Sequence, residues 1–382
     1  MTPAESPHLL DATMFFTPTS GGVRRYLLAK HEWLGRHAQV THTLVVPGDV
    51  SGGTVGDVVE FASPLIPFGA GYRCPWRLGA LRKLLIALRP DLIEAADPYA
   101  VGWQAARAAA TLQVPSVAFC HSDLIGLIGG RWGRTAGALS TRYLRALYRQ
   151  FDAVLVPSRL VADRLRAVGI EHITVQPLGV DAAIFRPDSG SQRLRASLGL
   201  PRTTRLLAFA GRLAPEKNLG ELETMVERLG DPYHLLIIGG PEAKRPSPRI
   251  TILPYQREPA RLAAWLASVD VIVHAGRAET FGLVALEALA CGKPVVVYDA
   301  GALPEIVDRQ VGAVAPCRGP RALADAVVDV FERDPEALGA EGRRRVLAGY
   351  TWDRALTREL VFYAGLLKRP LLAPDGALEA AW

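Results

Sequence analysis

The sequence predicts an α/β protein with two doubly wound domains in tandem. Short, almost continuously apolar segments alternate with helical patterns along most of the chain, which is typical of βαβ units in a parallel sheet covered on both faces. The chain of 382 residues is also longer than one ordinary hydrophobic core requires. A stretch at 179–204 that contains two prolines and a polar segment separates two series of such units and predicts the linker.

Five strands are named in each series. The N-terminal strands are predicted at 42–48, 91–97, 115–121, 153–158 and 173–179, with helices between them such as 23–37 and 136–150. The C-terminal strands are predicted at 205–211, 234–240, 250–255, 271–276 and 294–301, separated by helices at 219–229, 258–269 and 281–291. The domains are therefore placed at 1–180 and 181–351, and the segment 352–382, which begins with the helical pattern 352–367, is expected to cross back onto the first domain.

Composition indicates a soluble globular protein. Hydrophobic residues make up 49% of the chain and charged residues 21%, and no apolar run reaches the roughly 18 residues that cross a bilayer. The N-terminal residues lack the basic segment of a signal peptide. The cysteines Cys74, Cys120, Cys291 and Cys317 are scattered without a CxxC pair, which argues against disulfides and a zinc site and favours a cytoplasmic location.

Positive charge is concentrated in the N-terminal half. Residues 1–180 hold 18 Lys and Arg against 13 Asp and Glu, whereas the remaining residues hold 26 against 25. Two segments, 72–90 and 131–150, each combine five cations with large apolar and aromatic residues and contain no acid. This composition suits amphipathic helices at an anionic membrane surface, and the alternative is that both helices pack their apolar sides on the sheet.

Two glutamates stand out in the segment 276–296. Glu279 and Glu287 are separated by seven residues in an otherwise apolar run. Glu279 falls in the loop after strand 271–276, at the sheet edge where ligands of such domains bind. With two such sheets, the predicted site is the cleft that the domains face. Either glutamate alone would be interpreted as a solvated carboxylate near a helix, but the pair favours ligand binding.

The loop after Glu279 also predicts an anion site. Free N–H groups near Phe281, Gly282 and Leu283 precede the next helix, and a glycine allows a ligand to approach the backbone closely. The two glutamates therefore bracket a site for a negatively charged group.

Two cations follow the first strand of the second domain. Arg212 and Lys217 lie at the carboxyl end of strand 205–211, just before helix 219–229. A guanidinium and an ammonium beside a helix N-terminus suit a pyrophosphate. The alternative is a solvated pair in which Lys217 contacts Glu216, and the position after the strand favours the ligand.

The first domain has weaker candidates. Gly21 and Gly22 precede helix 23–37 but lack the G-x-G-x-x-G spacing, so they do not predict a dinucleotide site. His121 ends strand 115–121 and is a candidate contact for a polar substrate group, although a single histidine is more often structural.

Taken together, these motifs resemble the family 4 glycosyltransferases, which have the GT-B fold and retain anomeric configuration. The most specific segment is 278–307, which holds the E-x7-E motif of the family as Glu279 and Glu287. Other segments that resemble the family follow in its order, so that the match covers nearly the whole chain: 20–26, 156–165, 175–187, 211–219 and 350–360.

The resemblance implies a metal-independent retaining hexosyltransferase that uses a GDP- or UDP-linked sugar of the mannose or glucose type and needs no other cofactor. Arg212 and Lys217 would hold the diphosphate, and Glu287 would bind the ribose hydroxyls. Glu279 and the N–H groups of residues 281–283 would hold the sugar and its phosphate.

In the N-terminal domain, the resemblance implies that His121 contacts the sugar or acceptor near the reacting carbon. Gly21 and Gly22 would allow that domain to approach the pyrophosphate. The acceptor would be a glycan, a small molecule, or a lipid or glycolipid of envelope or polysaccharide synthesis, reached at the inner face of the membrane.

Two other functions remain open from the sequence. A nucleotide-sugar 2-epimerase has the same architecture but would need a different set of acids around the sugar. A protein that only binds an anionic ligand is suggested by the basic N-terminal half, whereas nucleic acid is disfavoured because no aromatic platform or known motif accompanies the charge.

Overall fold

The computed structural model describes residues 6–17, 21–49, 54–55, 57–67, 71–187 and 191–372. The chain divides into two compact units, one made of 1–177 with 352–382 and the other of 178–351. Each unit contains one sheet that is parallel apart from an edge strand. The predicted class, two parallel-sheet α/β domains, is confirmed.

The described residues form fifteen strands and twelve α-helices. The strands are β1 His8–Ala12, β2 Thr41–Gly48, β3 Thr54–Val55, β4 Val58–Ala62, β5 Leu92–Ala95, β6 Ser116–Phe119, β7 Ala153–Val156, β8 Ile173–Val175, β9 Arg205–Ala210, β10 Tyr233–Gly240, β11 Lys244–Ser247, β12 Ile250–Pro254, β13 Val271–His274, β14 Val295–Tyr298 and β15 Gly312–Ala315. The helices are α1 Gly22–His37, α2 Leu78–Ala87, α3 Ala100–Leu112, α4 Leu124–Tyr148, α5 Arg159–Ala167, α6 Ser191–Ser197, α7 Leu219–Leu229, α8 Pro259–Ala267, α9 Leu283–Ala290, α10 Pro320–Arg333, α11 Pro335–Gly349 and α12 Trp352–Leu367.

The sheet of the first unit has the strand order β3-β4-β2-β1-β5-β6-β7-β8. Its central strands are buried on both faces, which explains their continuous apolar sequence; Leu9, Leu10 and Ile93 are fully buried. The order reverses at β1, so the chain winds outward in both directions from the centre. Neither β3 nor β4 was predicted from the sequence, because the first is two residues long and the second alternates in burial.

The terminal helix α12 belongs to this first unit and packs on α1. A buried ionic cluster joins the two helices to the sheet. The ammonium of Lys30 on α1 lies 2.9 Å from Asp11 of β1, 3.3 Å from Glu94 of β5 and 2.9 Å from Glu359 of α12. Tyr363 of α12 donates its hydroxyl to Glu359 at 2.8 Å. Three acids around one buried cation require that some of them share protons.

The sheet of the second unit has the order β11-β12-β10-β9-β13-β14-β15. Its core strands β9, β10, β13 and β14 are buried along almost their whole length. The helix α7 occupies the predicted range, and α9 begins two residues later than predicted. Because β9 and β13 are adjacent and parallel, their carboxyl ends meet at one edge of the sheet.

Most of the predicted strands were too long at their carboxyl ends, and two of these ends affect candidate residues. The strand β6 ends at Phe119, so His121 lies in the following loop and does not end the strand. Likewise β13 ends at His274, because the N–H of Gly276 turns back to His274 Nδ1 at 3.0 Å and leaves the ladder. Apolar sequence alone does not show where the chain turns away.

Candidate active site

The carboxyl edge of β9 and β13 carries most of the residues predicted to bind a ligand. The loop after β9 contains Arg212 and a short 3-10 helix, Pro215–Lys217, whereas the loop after β13 contains Glu279 and leads into α9. The two loops are tied together, since the side-chain amide of Asn218 donates to the carbonyl of Ala275 at 2.9 Å. The tie holds the cationic loop beside the acidic one.

Lys217 and Glu279 form an ion pair across these loops. Both side chains are less than one-fifth exposed, at 17% and 18%. His274 Nε2 contacts the same carboxylate oxygen, Oε1, at 3.1 Å. Burial opposes the charge of Glu279, but the hydrogen bond from His274 together with the charge and hydrogen bond of Lys217 outweighs it and holds the pKa of Glu279 well below its ordinary value. Glu279 is therefore a carboxylate at every physiological pH.

The backbone of Glu279 is fixed from a third side. The N–H of Ala302 donates to the Glu279 carbonyl at 2.9 Å. Gly301 adopts a φ of +65°, and a Cβ there would lie 3.0 Å from the Glu279 nitrogen and oxygen. The loop after β14 thus packs closely on Glu279 and restricts its position.

The entry into α9 depends on Gly282. This residue caps the helix with a φ of +102°, and a Cβ on it would lie 2.3 Å from Cδ2 of Leu303. Conformation and packing therefore require glycine here even without a ligand. Phe281 before it is buried, and Leu283 begins the helix with its side chain half-buried. The first turn of α9 directs its N–H groups toward the loop that carries Glu279.

Glu287 lies inside α9 and is 1% exposed. The alternative that it is a solvated carboxylate on a helix face is thereby excluded. Its helical neighbours from Ala285 to Ala290 are buried with it, so α9 carries a buried acid on an otherwise apolar helix. Its role in binding ribose remains a prediction.

Arg212 differs from Lys217 in its surroundings. Its side chain is 52% exposed, and its guanidinium lies 3.7 Å from Glu216, four residues along the chain. The alternative pairing of Lys217 with Glu216 is not observed, because Lys217 contacts Glu279 instead. The contacts of Arg212 are therefore those of an exposed surface cation. It lies in the same loop as Lys217, which pairs with Glu279.

The candidates of the first unit lie at the carboxyl end of its own sheet. Gly21 caps α1 and Gly22 is its first residue; a Cβ at Gly21 would meet no described atom within 4 Å. His121 stacks on Phe119 with ring centroids 4.1 Å apart and contacts Tyr26 at 5.2 Å. Burial and the nearby charge of Lys30 hold the pKa of His121 well below its ordinary value, so the ring is neutral.

Two residues of the site, His274 and Asn218, were not predicted from the sequence. His274 is 6% exposed and is the last residue of β13. A histidine that closes an apolar strand just before an acidic loop is a usable signal, but it was absorbed into the predicted strand 271–276. Asn218 has a left-handed backbone, with φ 51° and ψ 45°. Asparagine adopts this conformation more often than most residues, but its presence before a helix does not identify the contact with Ala275.

The described ranges contain neither a candidate metal site nor a membrane-spanning helix. No three side chains of His, Cys, Asp or Glu come together there as potential metal ligands. Among the same residues, every helix is too short or too polar to cross a bilayer.

Comparison with known proteins gives two family matches. Residues 20–184 match the model described as Glycosyltransferase Family 4, and residues 204–333 match that of Glycosyl transferases group 1. Together these segments include the loops that carry Glu279, Lys217 and His121.

Curated relatives and solved structures agree with these matches. The chain is 32% identical over 369 residues, 91% of its length and 93% of the relative, to a GDP-mannose-dependent alpha-(1-6)-phosphatidylinositol dimannoside mannosyltransferase of Mycobacterium tuberculosis. It is 31% identical, over 77% of the chain and 78% of the relative, to a GDP-mannose-dependent alpha-mannosyltransferase of Mycolicibacterium smegmatis. Its structure is similar to sucrose-phosphate synthase from Thermosynechococcus elongatus, with a TM-score of 0.75 and 20% identity over 95% of this chain and 99% of that one.

Proposed function

Because the chain belongs to the group 1 glycosyltransferases of family 4, we propose that it transfers mannose from GDP-mannose to a hydroxyl group of a glycolipid. The observation that carries this proposal is the similarity to a mannosyltransferase over 91% of the chain, together with the partly buried Lys217–Glu279 pair at the carboxyl edge of the second sheet. The enzyme class itself follows from the family, whereas the donor, the acceptor and the residue roles are the proposal.

The donor diphosphate is assigned to the cationic loop. Lys217 has three N–H donors and uses one of them on Glu279, which leaves capacity for phosphate oxygens. Arg212 is exposed and adds a bidentate guanidinium. The free N–H groups of residues 281–283 complete the anion site, and Glu287 is assigned to the ribose hydroxyls. With two cations and a helix N-terminus in this role, we expect transfer to proceed without a divalent metal.

The transfer step follows from where charge develops. The bond between the anomeric carbon and the β-phosphate oxygen breaks, and the diphosphate gains a negative charge beside Lys217 and Arg212. Preorganised donors at such a position contribute about 3–4 kcal/mol each to catalysis. The acceptor oxygen bonds to the anomeric carbon on the face that the diphosphate leaves, and its proton passes to the departing phosphate oxygen.

Neutral His121 is proposed to contact a hydroxyl of the sugar near the reacting carbon. Gly21 and Gly22 are proposed to leave room for the pyrophosphate. A ring held neutral by burial and by Lys30, which keep its pKa low, can donate from one nitrogen and accept at the other. It therefore orients a hydroxyl and does not add charge next to a cationic sugar.

A glycolipid acceptor requires access to a membrane, and the surface around the start of α2 offers it. The structure changes the predicted basis of this contact, because Leu81 and Leu85 of α2 are buried and cannot meet lipid. Four other apolar side chains are exposed: Leu65 at 58%, Ile66 at 36%, Trp76 at 69% and Leu78 at 37%. We call these four residues the apolar patch.

The segments that carry the apolar patch lie beside each other and are accompanied by cations. The backbone pairs Leu65 with Arg73 and Ile66 with Tyr72, which brings 65–66 beside the segment leading to Trp76. Arg77 lies over the Trp76 ring at 5.2 Å, and Arg82 and Lys83 are exposed on α2. Apolar side chains surrounded by cations suit the interface of an anionic membrane, so we propose a peripheral enzyme at the cytoplasmic face.

The second predicted basic segment, 131–150, lies within α4, which is kinked at Gly133, where φ is 82°. Arg131, Trp132 and Arg134 lie outside the described side chains. Further along, Leu144, Leu147 and Tyr148 are buried, whereas Leu139 is 70% exposed. This helix therefore packs its apolar side inward and supplies little to the membrane proposal.

The experiment measures which sugar nucleotide donates its sugar to a glycolipid acceptor. Labelled GDP-mannose, UDP-glucose and GDP-glucose are incubated with the protein and vesicles containing phosphatidylinositol mannosides, in buffer with EDTA. The expected result is label in the lipid fraction from GDP-mannose. Transfer from UDP-glucose or GDP-glucose instead would show that GDP-mannose is not the donor. Activity that appears only when Mg²⁺ replaces EDTA would contradict metal-independent transfer.

Controls separate the alternatives. A nucleotide-sugar 2-epimerase would change the free sugar nucleotide without labelling any acceptor. A protein that only binds would be stabilised by the donor, by about 2.7 kcal/mol at 100 times its Kd, without consuming it.

A further inference from the structure

The proton on His274 is fixed by the backbone. The N–H of Gly276 donates to His274 Nδ1 at 3.0 Å. A backbone N–H is always a donor, so Nδ1 must be the acceptor and the neutral imidazole carries its hydrogen on Nε2. The contact of Nε2 with Glu279 Oε1, at 3.1 Å, is therefore a hydrogen bond from His274 to the carboxylate.

The ring of His274 cannot easily adopt another orientation. It is 6% exposed and lies 5.5 Å from the ring of Phe209 in the neighbouring strand. A Cβ on Gly276 would lie 2.5 Å from His274 Cε1, which shows how closely the following turn covers the ring. A buried, two-point-anchored imidazole at the end of a strand is a rigid support.

Both protein contacts of Glu279 use the same oxygen. Lys217 and His274 each donate to Oε1, and the side chain keeps 18% of its surface exposed. Within the described part of the chain, the second oxygen, Oε2, is thus the one that can accept from a ligand hydroxyl. A carboxylate held at one oxygen by two donors presents the other in a defined direction.

We propose that His274 is a positioning residue for transfer: its Nε2–H holds Glu279 so that Oε2 faces the hydroxyls of the donor sugar, including when Lys217 turns to the diphosphate. The inference deepens the proposed function and rests on it, because Glu279 is assigned to the sugar there. It adds that the ion pair with Lys217 does not suffice to orient Glu279.

Two substitutions divide the two hydrogen bonds of the ring. The amide nitrogen of glutamine reaches about the position of imidazole Nε2, so His274→Gln keeps the donor to Glu279 and loses the acceptor for Gly276. The amide oxygen of asparagine lies near the position of Nδ1, so His274→Asn keeps the acceptor and loses the donor. A role limited to shaping the turn predicts that asparagine is tolerated better than glutamine.

Positioning of Glu279 predicts the opposite order. His274→Asn should lower kcat/KM for mannose transfer about 10- to 100-fold, as expected when a contact to the sugar is misaligned, while His274→Gln stays within a few-fold of wild type. In a Glu279→Ala background, His274→Asn should cause no further loss, since its effect acts through Glu279. His234→Asn is the matched control, because His234 is a buried histidine of the same sheet that contacts Thr251 at 2.9 Å, and it should leave kcat/KM unchanged.

A titration of the Glu279 carboxyl tests the hydrogen bond from His274 without measuring sugar transfer. The ¹³C shift of the Glu279 carboxyl should show a higher pKa in His274→Asn than in wild type, and His274→Gln should resemble wild type. Equal impairment of both variants in kcat/KM, an equal loss in the Glu279→Ala background, or an unchanged titration would overturn the inference. If wild type transfers no sugar but the titration follows this order, the proposed function fails while the hydrogen bond from His274 to Glu279 stands.

Discussion

At the scale of single residues, Lys217 and Arg212 are similar in charge but different in setting. Lys217 is partly buried in a pair with Glu279, and Arg212 is half exposed with a weak contact to Glu216. Removal of a preorganised donor at the leaving group lowers turnover by about 10²- to 10³-fold. We expect Lys217→Ala to lower kcat by that factor and Arg212→Ala to lower it less, because an exposed side chain is ordered only on binding.

Arg321→Ala supplies the matched control for this prediction, since Arg321 is a 79% exposed cation of the same unit on α10. Its steady-state rate should equal that of wild type. If the Lys217→Ala variant is folded, as judged by its melting curve, and keeps wild-type kcat/KM, the assignment of the diphosphate to Lys217 is wrong.

Residues at this site differ in how far the sequence could predict them. Glu279 and Lys217 were found because charged residues directly after apolar strands are conspicuous, and the structure brings them into contact. His274 was not found, because the predicted strand 271–276 ran two residues past the true end of β13 and placed His274 inside it. Its role depends on the turn at Gly276, which is set by one backbone hydrogen bond and not by the apolar pattern.

At the scale of elements, the start of α9 is predicted to be sensitive to one methyl group. In Gly282→Ala, the new Cβ must meet Leu303 at 2.3 Å with φ at +102°. Positive φ and overpacking each cost about 1–3 kcal/mol, so the melting temperature should fall by several degrees and GDP binding should weaken.

Gly220→Ala is the control for this effect, because Gly220 lies in the first turn of α7 without a positive φ, and a Cβ there would meet no described atom within 4 Å. Alanine at this position should be neutral or slightly stabilising. Equal melting temperatures for the two variants in differential scanning calorimetry would show that the conformation of Gly282 is not restrictive.

The attachment of α12 to the sheet should depend on pH through Glu94. Burial raises the pKa of Glu94 from 4.5 to about 8, and the acids Asp11 and Glu359 act in the same direction against Lys30. The folded state therefore keeps a proton that the unfolded chain releases above pH 4.5. This contribution to the free energy of unfolding is complete below pH 4.5 and is lost as the pH rises to 8.

Glu94→Gln imitates the protonated acid and should remove this dependence. Between about pH 5 and pH 8, wild type should lose more melting temperature than Glu94→Gln, by at least about 2 °C for each kcal/mol of lost stabilisation. Glu171→Gln, at an exposed acid of the same unit, should follow wild type. Parallel curves for wild type and Glu94→Gln would mean that Glu94 is ionised throughout.

At the scale of the whole molecule, the sequence predicted two parallel-sheet domains because each strand is apolar along its length. It could not predict which apolar side chains remain at the surface. The leucines of 72–90 suggested a lipid-facing helix, yet Leu81 and Leu85 complete the core of the first unit. Burial is decided by what packs over a helix, here α3 against α2, and the apolar pattern of α2 does not show that partner.

Membrane binding should depend on the apolar patch. Trp76→Ser should weaken co-sedimentation with vesicles rich in anionic lipid by several-fold, since a largely exposed indole is lost from the interface. Leu347→Ser, at a 43% exposed leucine of the other unit, should bind as wild type does. Binding that is unaffected by Trp76→Ser, or that does not fall with salt, would exclude this surface as the contact.

The most direct test of the account compares the GDP released with the mannose transferred by the wild-type protein. The account predicts that GDP appears only when a glycolipid acceptor is present, in a one-to-one ratio with mannose in an α linkage, because the acceptor must attack the carbon that the diphosphate leaves. GDP release at the same rate without acceptor, or product in a β linkage, would contradict it.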